Sequence, residues 1–541
     1  MNYRLVKILI ICVVAVTAGL KLRAWDGGGT ADNPYLLRNA TDINTLATNV
    51  NNGETYENKY FKVASDYSGG TITKSIGIKV NDNVYCFRGS FDGSNDTLDL
   101  NITKDGLSYE FTYLALFGYV GSDANIHDVI ISGSVHGYYA GGVVGEVKAA
   151  SSNVTISNCH NLATISAHSY YGMGGIVGRV DTNNGSEPCS NILIEKCSNT
   201  VNVVLRVPYS DVYYWNVGGI IGGANNTLIN KCFNTGNITG SYGVGGIAGS
   251  INRGSTIQNS YNTGDILMTT KDDTFYGAGG IVGYISNSAP QSIVKNCYSI
   301  GNVSGTMSMC SGTPCLKDQA IGGIAGWNYD GQIINCYNGG VLSNSTASYI
   351  GGIVGRNQRV SQTTKVQNCY SINTAASNPY GHNVNSATCE SSYMFTHVSY
   401  RSNYYIVGST NTDILDVLND WVGSNNTYLT WVNASSESDN KGMPKFYSCT
   451  PVSVTNFSVT DSGDRFVRVA WDNVSGVSYE LHYGSDPSSM WLVSNPDNPF
   501  RAERLTNGRT YYFAIKPTGS GDYCVDNPLS DPPVSATPNC P

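Results

Sequence analysis

The chain has 541 residues, a formal net charge of -8 and only 13% charged residues, about half of what globular proteins usually carry. Acidic charge spread this thinly excludes a nucleic-acid partner, which requires clustered lysine and arginine. The 61 glycines and 37 tyrosines favour short strands and tight turns over amphipathic helices.

The start of the chain is typical of an export signal. A positively charged beginning precedes an apolar run, residues 8–16, that is too short to cross a bilayer. Cleavage after Ala24 would release the mature chain, and the alternative is a lipid attached at Cys12. We predict that residues 1–24 are a signal peptide and that the mature protein, without a transmembrane helix, is secreted or lies on a bacterial cell surface.

A phrase of two blocks recurs along residues 126–390. The first block reads Gly-Gly-hydrophobic-x-Gly, and its seven copies begin at Gly141, Gly174, Gly218, Gly245, Gly279, Gly322 and Gly351. The second block is built on Asn-Cys and reads SNCHN, EKCSN, NKCFN, QNSYN, KNCYS, INCYN and QNCYS. The tightest copy takes 27 residues to pass from Gly218 to Gly245, and longer copies grow in two places only. Fixed blocks with variable lengths between them indicate coils that carry loops at their corners.

The residues inside the blocks are short alternating runs of Ile, Val and Thr bounded by Gly and Asn, which predict strands. One copy cannot bury its apolar residues alone, so successive copies must stack and share a core. Strands stacked in one direction at about 4.8 Å per layer form a parallel β-helix. We predict an all-β solenoid, with residues 25–125 forming a lead-in and the first coils and residues 126–390 forming the repeats.

Cysteine fills one equivalent slot of the second block. A metal or redox ladder is one interpretation, and a column of small buried side chains is the other. The second is favoured because cysteine packs as a small hydrophobe and because the slot has no Cys-x-x-Cys pattern or nearby histidine. The slot holds Cys159, Cys197, Cys232, Ser260, Cys297, Cys336 and Cys369.

Cysteines outside this slot suggest disulfides in an oxidising compartment. Cys310 and Cys315 bracket the loop CSGTPC, and Cys524 and Cys540 lie near the end of the chain. The sequence does not determine how they pair.

The two blocks resemble the GLUG-repeat family, as in GGIVG at Gly279 with KNCYS at Lys295. WDGGGTADNPYLL at Trp25 is similar to the lead-in of these exported proteins. Residues 391–449 are similar to their closing cap, with a short helix around DILDVLNDWV. The resemblance implies an exported surface protein of the adhesin type, and it carries no catalytic residue to this chain.

The tail, residues 450–541, resembles a fibronectin type III domain, which implies a small antiparallel β-sandwich. VSVTNFSVTDSGDRFVRVAWD would supply the first two strands, with Trp471 buried, and VSYELHYG the next. LTNGRTYY, with Leu505, Gly508 and Tyr511, is similar to the run that forms the tyrosine corner. Such domains usually serve as spacers.

Aromatic residues stand just ahead of the glycine pair in six of the seven copies. Stacked coils would line these rings along one edge, where Tyr and Trp offer rigid amphipathic contact area to a sugar or a protein. The competing interpretation is that the rings only cover the core. The candidate ligand-binding residues are Trp215, Tyr214, Tyr171, Tyr276, Tyr139 and Tyr242, of which Trp215 is the strongest.

Catalysis is not indicated. Glycosidases and lyases need paired carboxylates, or Lys and Arg beside Asp, on one face. The acids here, Asp181 and Asp265 among them, occupy no common slot. The densest group is Asp92, Asp96 and Asp99, for which turn formation is favoured over Ca²⁺ binding. No cofactor or metal site is predicted.

The leading hypothesis is therefore a non-enzymatic adhesin-like protein that binds a glycan or an extracellular, host-surface protein through loops or an aromatic edge. One alternative is a carbohydrate-active enzyme or its accessory carbohydrate-binding module. Another is a structural surface-layer component.

Overall fold

The computed structural model describes residues 25–103, 113–137, 139–148, 153–167, 172–181, 191–205, 216–270, 276–286, 288–307, 319–344, 349–372, 380–384, 388–390, 393–396, 405–406, 414–423, 428–432, 445–446, 454, 456–473, 478–486, 490–494, 496–518 and 534–539. The chain divides into two compact units, Met1–Lys445 and Phe446–Pro541. Within the described segments, no helix is both long and apolar enough to cross a membrane.

The first unit is built of coils that stack through long parallel sheets, as predicted for a β-solenoid. One turn of the chain contributes strands to four parallel sheets, numbered 1 to 4 and described below, in a fixed order. In the coil that begins at Gly218, sheet 4 receives Ile221–Asn225, sheet 1 receives Thr227–Asn230, sheet 2 receives Phe233–Asn234 and Ile238–Gly240, and sheet 3 receives Gly243–Gly245. Each strand pairs with its equivalent in the coils before and after it, so like residues lie above one another.

Sheet 1 has twelve parallel strands. The strands are short, and most of those whose burial is described alternate buried with more exposed residues, because one face points into the core. The strands are Tyr35–Leu37, Tyr60–Val63, Ser90–Asp92, Asn125–His127, Val154–Ser157, Ile192–Glu195, Thr227–Asn230, Thr256–Gln258, Ile293–Lys295, Gln332–Ile334, Lys365–Gln367 and Thr388–Glu390.

Sheet 2 starts with Thr71–Ile72 and two long strands, Thr97–Thr103 and Ile130–Gly137, and then divides into two parallel rows. The first row is His160–Asn161, Ser198–Asn199, Phe233–Asn234, Tyr261–Asn262, Tyr298–Ser299, Tyr337–Asn338, Tyr370–Ser371 and Tyr393–Thr396, with Tyr405–Ile406 antiparallel to the last. The second row is Thr164–Ala167, Val203–Leu205, Ile238–Gly240, Ile266–Thr270, Val303–Met307 and Leu342–Asn344.

Sheets 3 and 4 carry the two ends of the first repeated block. Sheet 3 consists of Tyr113–Leu114, Tyr139–Gly141, Met173–Gly174, Asn216–Gly218, Gly243–Gly245, Tyr276–Gly279, Gln319–Gly322 and Tyr349–Gly351. Sheet 4 consists of Phe117–Gly121, Val144–Lys148, Val177–Val180, Ile221–Asn225, Ala248–Asn252, Val282–Ile285, Ala325–Tyr329, Val354–Gln358 and Tyr380–Val384.

The cysteine slot is a column of buried thiols, as predicted. All six cysteines are fully buried. The Cys232 thiol lies 3.6 Å from the carbonyl oxygen of Ile194 in the preceding coil and 3.4 Å from that of Asn230. Burial raises the pKa of Cys197 and Cys232 well above the ordinary value, so these thiols stay protonated. The column therefore packs the core.

Asparagines two positions after the cysteine slot form an inner ladder. The Asn199 amide donates to Asn234 Oδ1 at 2.7 Å, and Asn234 donates to Asn262 Oδ1 at 2.7 Å. Each amide also bonds its own turn, as Asn234 does with the carbonyl oxygen of Gly236. These side chains are fully buried, and their bonds satisfy amides that would otherwise be costly inside the core.

The second glycine of each Gly-Gly pair makes room for this ladder. A Cβ built on Gly246 would lie 2.3 Å from Asn262 Cγ and 2.3 Å from the carbonyl oxygen of Gly280 in the next coil. Any side chain there would collide with both. The two repeated blocks thus face each other across the core, which explains why they recur together.

The turn before each cysteine has a left-handed backbone. In eight coils its φ lies between 49° and 55°, a conformation in which Asn and Asp are enriched among non-glycine residues. The turn residues are Asp128, Asn158, Lys196, Lys231, Asn259, Asn296, Asn335 and Asn368.

Helix α1 spans Ala40–Asn51 in the lead-in and was not predicted. The Asn39 side chain caps it by accepting from the N–H of Asp42 at 3.1 Å. Apolar residues at helical spacing, Ile43, Leu46 and Val50, are buried against the first coils. That spacing and the cap residue are visible in the sequence. A hairpin follows, formed by Ile78–Val80 and Asn83–Tyr85.

Helix α2 spans Ile414–Gly423 and confirms the helix predicted around DILDVLNDWV. Strand Trp431–Val432 pairs with Lys445–Phe446. Asn419 joins α2 to this strand, because its side chain donates to the carbonyl oxygen of Trp431 and accepts from the N–H of Trp431.

The second unit consists of two antiparallel sheets that contribute to one core. Trp471 is 5% exposed, as expected, and Tyr511 Oη accepts from the N–H of Thr506 at 3.2 Å. The three-stranded sheet is Ser458–Gly463, Phe466–Ala470 and Phe500–Ala502, and the four-stranded sheet is Trp491–Ser494, Ser478–Gly484, Tyr511–Thr518 and Val534–Ala536.

Candidate functional site

Most of the predicted site residues lie outside the described residues. This holds for Trp215, Tyr214, Tyr171 and for all four cysteines proposed to form disulfides, Cys310, Cys315, Cys524 and Cys540. Tyr276 begins the sheet 3 strand Tyr276–Gly279, where it pairs with Gln319 of the next coil, but its side chain is not described.

Tyr139 and Tyr242, the two predicted residues whose side chains are described, do not share one column. In the sheet 3 register, Ala140 pairs with Met173, Met173 with Val217, and Val217 with Val244. Tyr139 therefore aligns with Gly243, which is one position after Tyr242. Tyr139 is 1% exposed and stacks on Tyr113 at 4.6 Å between ring centroids. Its ring is therefore covered.

Tyr242 belongs to a row of half-buried tyrosines from three successive coils. Its ring centroid lies 6.2 Å from that of Tyr284, and Tyr284 lies 5.7 Å from Tyr329. The rings are tilted by 48° and 56°, so neighbouring rings do not cover each other's faces. All three keep intermediate exposure.

An arginine and a tryptophan complete this group at its far end. The Trp327 ring is fully buried and stacks on Tyr329 at 5.1 Å. The Arg356 guanidinium lies 4.4 Å from the Trp327 ring centroid and 5.5 Å from that of Tyr349. Such cation–π contacts hold the guanidinium against the aromatic rings. We call Tyr242, Tyr284, Trp327, Tyr329, Tyr349 and Arg356 the aromatic patch.

The repeat itself positions the patch. Residues that directly follow the last glycine of the first block fall in one outward column of sheet 4, because their register pairs them coil by coil. Aligning the blocks on that glycine would have revealed this column from the sequence. It reads Tyr119, Glu146, Arg179, Gly223, Ser250, Tyr284, Trp327 and Arg356.

A different set of rings follows the cysteine slot in sheet 2. Phe233, Tyr261, Tyr298, Tyr337 and Tyr370, here named the ring ladder, stack at 4.8 to 5.1 Å with planes parallel to within 4°. Stacked rings cover each other's faces and present mainly their edges. The ladder therefore differs from the row Tyr242, Tyr284 and Tyr329, whose rings are tilted against one another.

The closing cap lies over the last rungs of the ring ladder. Trp431 packs against Tyr337 at 5.5 Å and against Tyr370 at 5.3 Å. Its Nε1 donates to Asn335 Oδ1 at 2.8 Å. Tyr337 and Tyr370 are buried, whereas Phe233, Tyr261 and Tyr298 are half-buried.

Four charged residues meet where the sheet 4 strands Val144–Lys148 and Val177–Val180 lie side by side. Asp181 Oδ2 lies 2.6 Å from Lys148 Nζ and 2.8 Å from Arg179 Nη2, and Glu146 Oε1 lies 3.4 Å from Arg179 Nε. Both carboxylates are nearly buried. Asp181 and Glu146 occupy different slots of the repeat, as the sequence indicated, but both approach Arg179 in space. Variable coil lengths hid the convergence, and only the strand register brings these residues together.

The two carboxylates of this charged cluster respond in opposite directions. Burial raises the pKa of Glu146 above its ordinary value, because its contacts to Arg179 and Lys148 are long. Burial also acts on Asp181, but Arg179 and Lys148 outweigh it and lower the pKa of Asp181. The pairs neutralise each other, so the cluster holds sheet 4 together unless a ligand displaces one partner.

The acids at the start of the solenoid are engaged in structure. Asp92 Oδ1 accepts from the N–H of Ser94 at 2.7 Å, which is the predicted turn, and its Oδ2 lies 2.7 Å from Lys62 Nζ. Asp92, His127 and Asp128 bring possible metal-ligand atoms within 4.8 Å. However, His127 Nδ1 already lies 2.7 Å from Asp128 Oδ2. The lysine and these contacts occupy the atoms a cation would need.

Comparisons with known proteins leave the family of this chain open. No protein-family model matches it, and no curated protein matches it. Among solved structures it is similar to one described as a "putative immunoglobulin A1 protease from Bacteroides ovatus", with 17% sequence identity and a TM-score of 0.37 over 78% of this chain and 94% of that chain. A likeness this distant carries no argument about activity.

Proposed function

We propose that this protein is a non-enzymatic, exported binding protein that holds a polymeric glycan on the aromatic patch. The observation that carries the proposal is the row Tyr242, Tyr284 and Tyr329, one half-buried ring from each of three successive coils. A row with the period of the solenoid suits a ligand that also repeats along its length. The adhesin-like function inferred from the sequence is thereby given a surface and a ligand class.

The chemistry of the patch supports a sugar polymer. Tilted tyrosine rings offer apolar faces to the C–H face of a sugar ring, and their hydroxyls offer hydrogen bonds at the rim. Arg356, held over Trp327, adds a positive charge beside these rings, which suits a glycan that carries carboxylate groups. A few convergent polar groups beside aromatic contact area are typical of ligand sites.

The wider identity of the protein is part of the same proposal. We propose that residues 1–24 direct export, that the coils are of the GLUG-repeat type, and that the second unit is a fibronectin type III-like sandwich acting as a spacer. Its two antiparallel sheets with a shared core, and the contact of Tyr511 with Thr506, support the last point.

A glycan and polysaccharide binding screen of the full chain tests the proposal. We expect Tyr284→Ala and Tyr329→Ala each to weaken binding of the best polysaccharide by about tenfold or more, because both remove ring faces at the centre of the row. Tyr261→Ala is the matched control, since it removes a tyrosine from the ring ladder. Unchanged affinity in both patch variants, with thermal unfolding intact, would refute the assignment.

A second candidate function, cleavage of a polysaccharide, is favoured by one observation only, the meeting of Lys148 and Arg179 with Asp181 and Glu146. Acid–base cleavage requires such groups beside the bond that breaks. Incubation with polysaccharides that bind, followed by assays for reducing ends and unsaturated products, distinguishes the two functions. Products that disappear in Arg179→Gln would favour the enzyme.

A further inference from the structure

The edge of the solenoid formed by the ring ladder and the turn asparagines already holds one extended peptide. The Asn335 amide donates to the carbonyl oxygen of Leu429 at 3.0 Å, and the N–H of Leu429 donates to Asn296 Oδ1 at 3.3 Å. Two residues later, Trp431 covers Tyr337 and Tyr370. Two backbone bonds and one tryptophan thus fix the segment Leu429–Trp431 on this edge.

This arrangement uses the hydrogen-bonding capacity that the amides of Asn296 and Asn335 have left after bonding their neighbours in the column. Along the column, Asn335 donates to Asn296 Oδ1 at 2.9 Å, and Asn296 donates to Asn259 Oδ1 at 3.1 Å. Each amide therefore spends one hydrogen and one lone pair on its neighbours. Asn335 places its second hydrogen on Leu429. Asn259 has the same capacity and remains half-buried.

The same edge continues past the cap. Phe233, Tyr261 and Tyr298 extend the ring ladder with intermediate exposure, whereas the cap buries the rungs that follow. In the two coils before Asn259, Lys196 and Lys231 occupy the turn position in place of asparagine and are exposed. Nearby Glu195 accepts from the Asn230 amide at 2.6 Å, so this carboxylate is engaged on the solenoid. Two exposed cations stand beside a half-buried aromatic row.

We propose that this half-buried edge, Phe233, Tyr261 and Asn259 with Lys196 and Lys231, docks an extended peptide of a partner protein that carries a tryptophan and adjacent acidic residues. The tryptophan lies on Phe233 and Tyr261 as Trp431 lies on Tyr337 and Tyr370. The peptide backbone bonds Asn259, and the acidic residues face the lysines. This surface belongs to sheet 2 and is independent of the glycan proposal on sheets 3 and 4.

The test is fluorescence anisotropy of the full chain with a labelled peptide, DDTYLTWVN, which joins two aspartates to the sequence of the cap. We expect saturable binding that is abolished when the peptide tryptophan is replaced by alanine. Asn259→Gly keeps the left-handed turn and removes the amide, and Tyr261→Ala removes a ring. We expect each to weaken binding by about tenfold. Tyr284→Ala, a patch variant, serves as the control and is expected to bind as the wild type does.

A charge variant tests the lysines without removing a ring or an interior contact. We expect Lys231→Asn, which suits the φ of 53°, to weaken the aspartate peptide but not the peptide TYLTWVN. The proposal is overturned if the labelled peptide does not bind, if Asn259→Gly and Tyr261→Ala bind it unchanged, or if these variants lose polysaccharide instead of peptide.

Discussion

Asp330 is a buried carboxylate that organises a surface loop. It is 1% exposed, and its oxygens accept from the N–H of Val360 at 2.5 Å, the N–H of Ser361 at 2.6 Å and the Ser361 hydroxyl at 2.8 Å. Burial by itself would raise the pKa of Asp330, but these donors outweigh it and lower the pKa below its ordinary value. The charged form is therefore the one that the fold prefers.

We expect Asp330→Asn to destabilise the protein by about 1–3 kcal/mol at neutral pH, because the amide turns an N–H group toward donors. The folded-state pKa is depressed, so the stabilisation is complete above the unfolded pKa of about 4 and is lost as pH falls through the folded value. Thermal unfolding from pH 7 downward should show the wild type and the variant converging below pH 4.

The exposed Asp123 provides the control for this prediction, since Asp123→Asn changes the same charge at a φ of 66°, which asparagine tolerates well. Its unfolding temperature should match the wild type at each pH. A gap between wild type and Asp330→Asn that stays constant with pH would contradict the role given to the carboxylate.

Single residues show where sequence reasoning succeeds and fails. The cysteine slot was predictable because one residue type recurs at one place, and a small buried hydrophobe is the simplest explanation. Arg179 and Asp181 were not predictable as partners of Glu146, because nothing local to each residue shows which residue the next coil brings opposite. The exposure of a single ring, such as Tyr139, likewise depends on neighbours from other coils.

Among elements, the inner asparagine ladder holds the coils in register. If Asn234 is replaced by alanine, the Asn199 amide, Asn262 Oδ1 and the Gly236 carbonyl oxygen each lose a buried partner. We expect Asn234→Ala to cost about 3 kcal/mol or more in the free energy of unfolding. Denaturant titration of the full chain measures it.

Serine tests whether the loss comes from the hydrogen bonds or from packing. Ser299 occupies this column and accepts from the Asn262 amide at 3.2 Å. Asn234→Ser should therefore retain an acceptor for Asn199 and lose clearly less stability than Asn234→Ala. Equal losses in the two variants would show that the ladder acts through volume alone.

Strands and helix α2 were predictable, because alternation, turn residues and helical spacing are local signals. Helix α1 carries the same kind of signal, in the cap residue Asn39 and the buried Ile43, Leu46 and Val50, although the sequence prediction did not include it. The ring ladder and the aromatic patch were harder, since each is assembled from single residues that become neighbours only once coils stack. Aligning the coils on the last glycine of the first block recovers Tyr284, Trp327 and Arg356 of the patch, and aligning them on cysteine recovers the ladder.

At the scale of the molecule, the parallel solenoid follows from one requirement, that a short coil must share its core with its neighbours. The repeat period and the two repeated blocks make that requirement recognisable in the sequence. The loops at the corners give no such signal, because their lengths vary from coil to coil without changing the core. For that reason the sequence predicted the architecture, whereas the side chains that lie next to one another from coil to coil required the strand register.

The coil from Gly218 to Gly245 carries no inserted loop in sheet 3, and this makes it a removable module. Val217 and Val244 are both followed by Gly-Gly-Ile, so deletion of residues 218–244 joins Val217 to Gly245 and leaves the local sequence unchanged. Asn199 would then meet Asn262, and Ser198 would meet Tyr261. We expect circular dichroism and thermal melting to report a shorter, fully folded protein, whereas the deletion 219–244, one residue out of phase, should not fold. The length of this solenoid could then be changed by removing or adding whole coils.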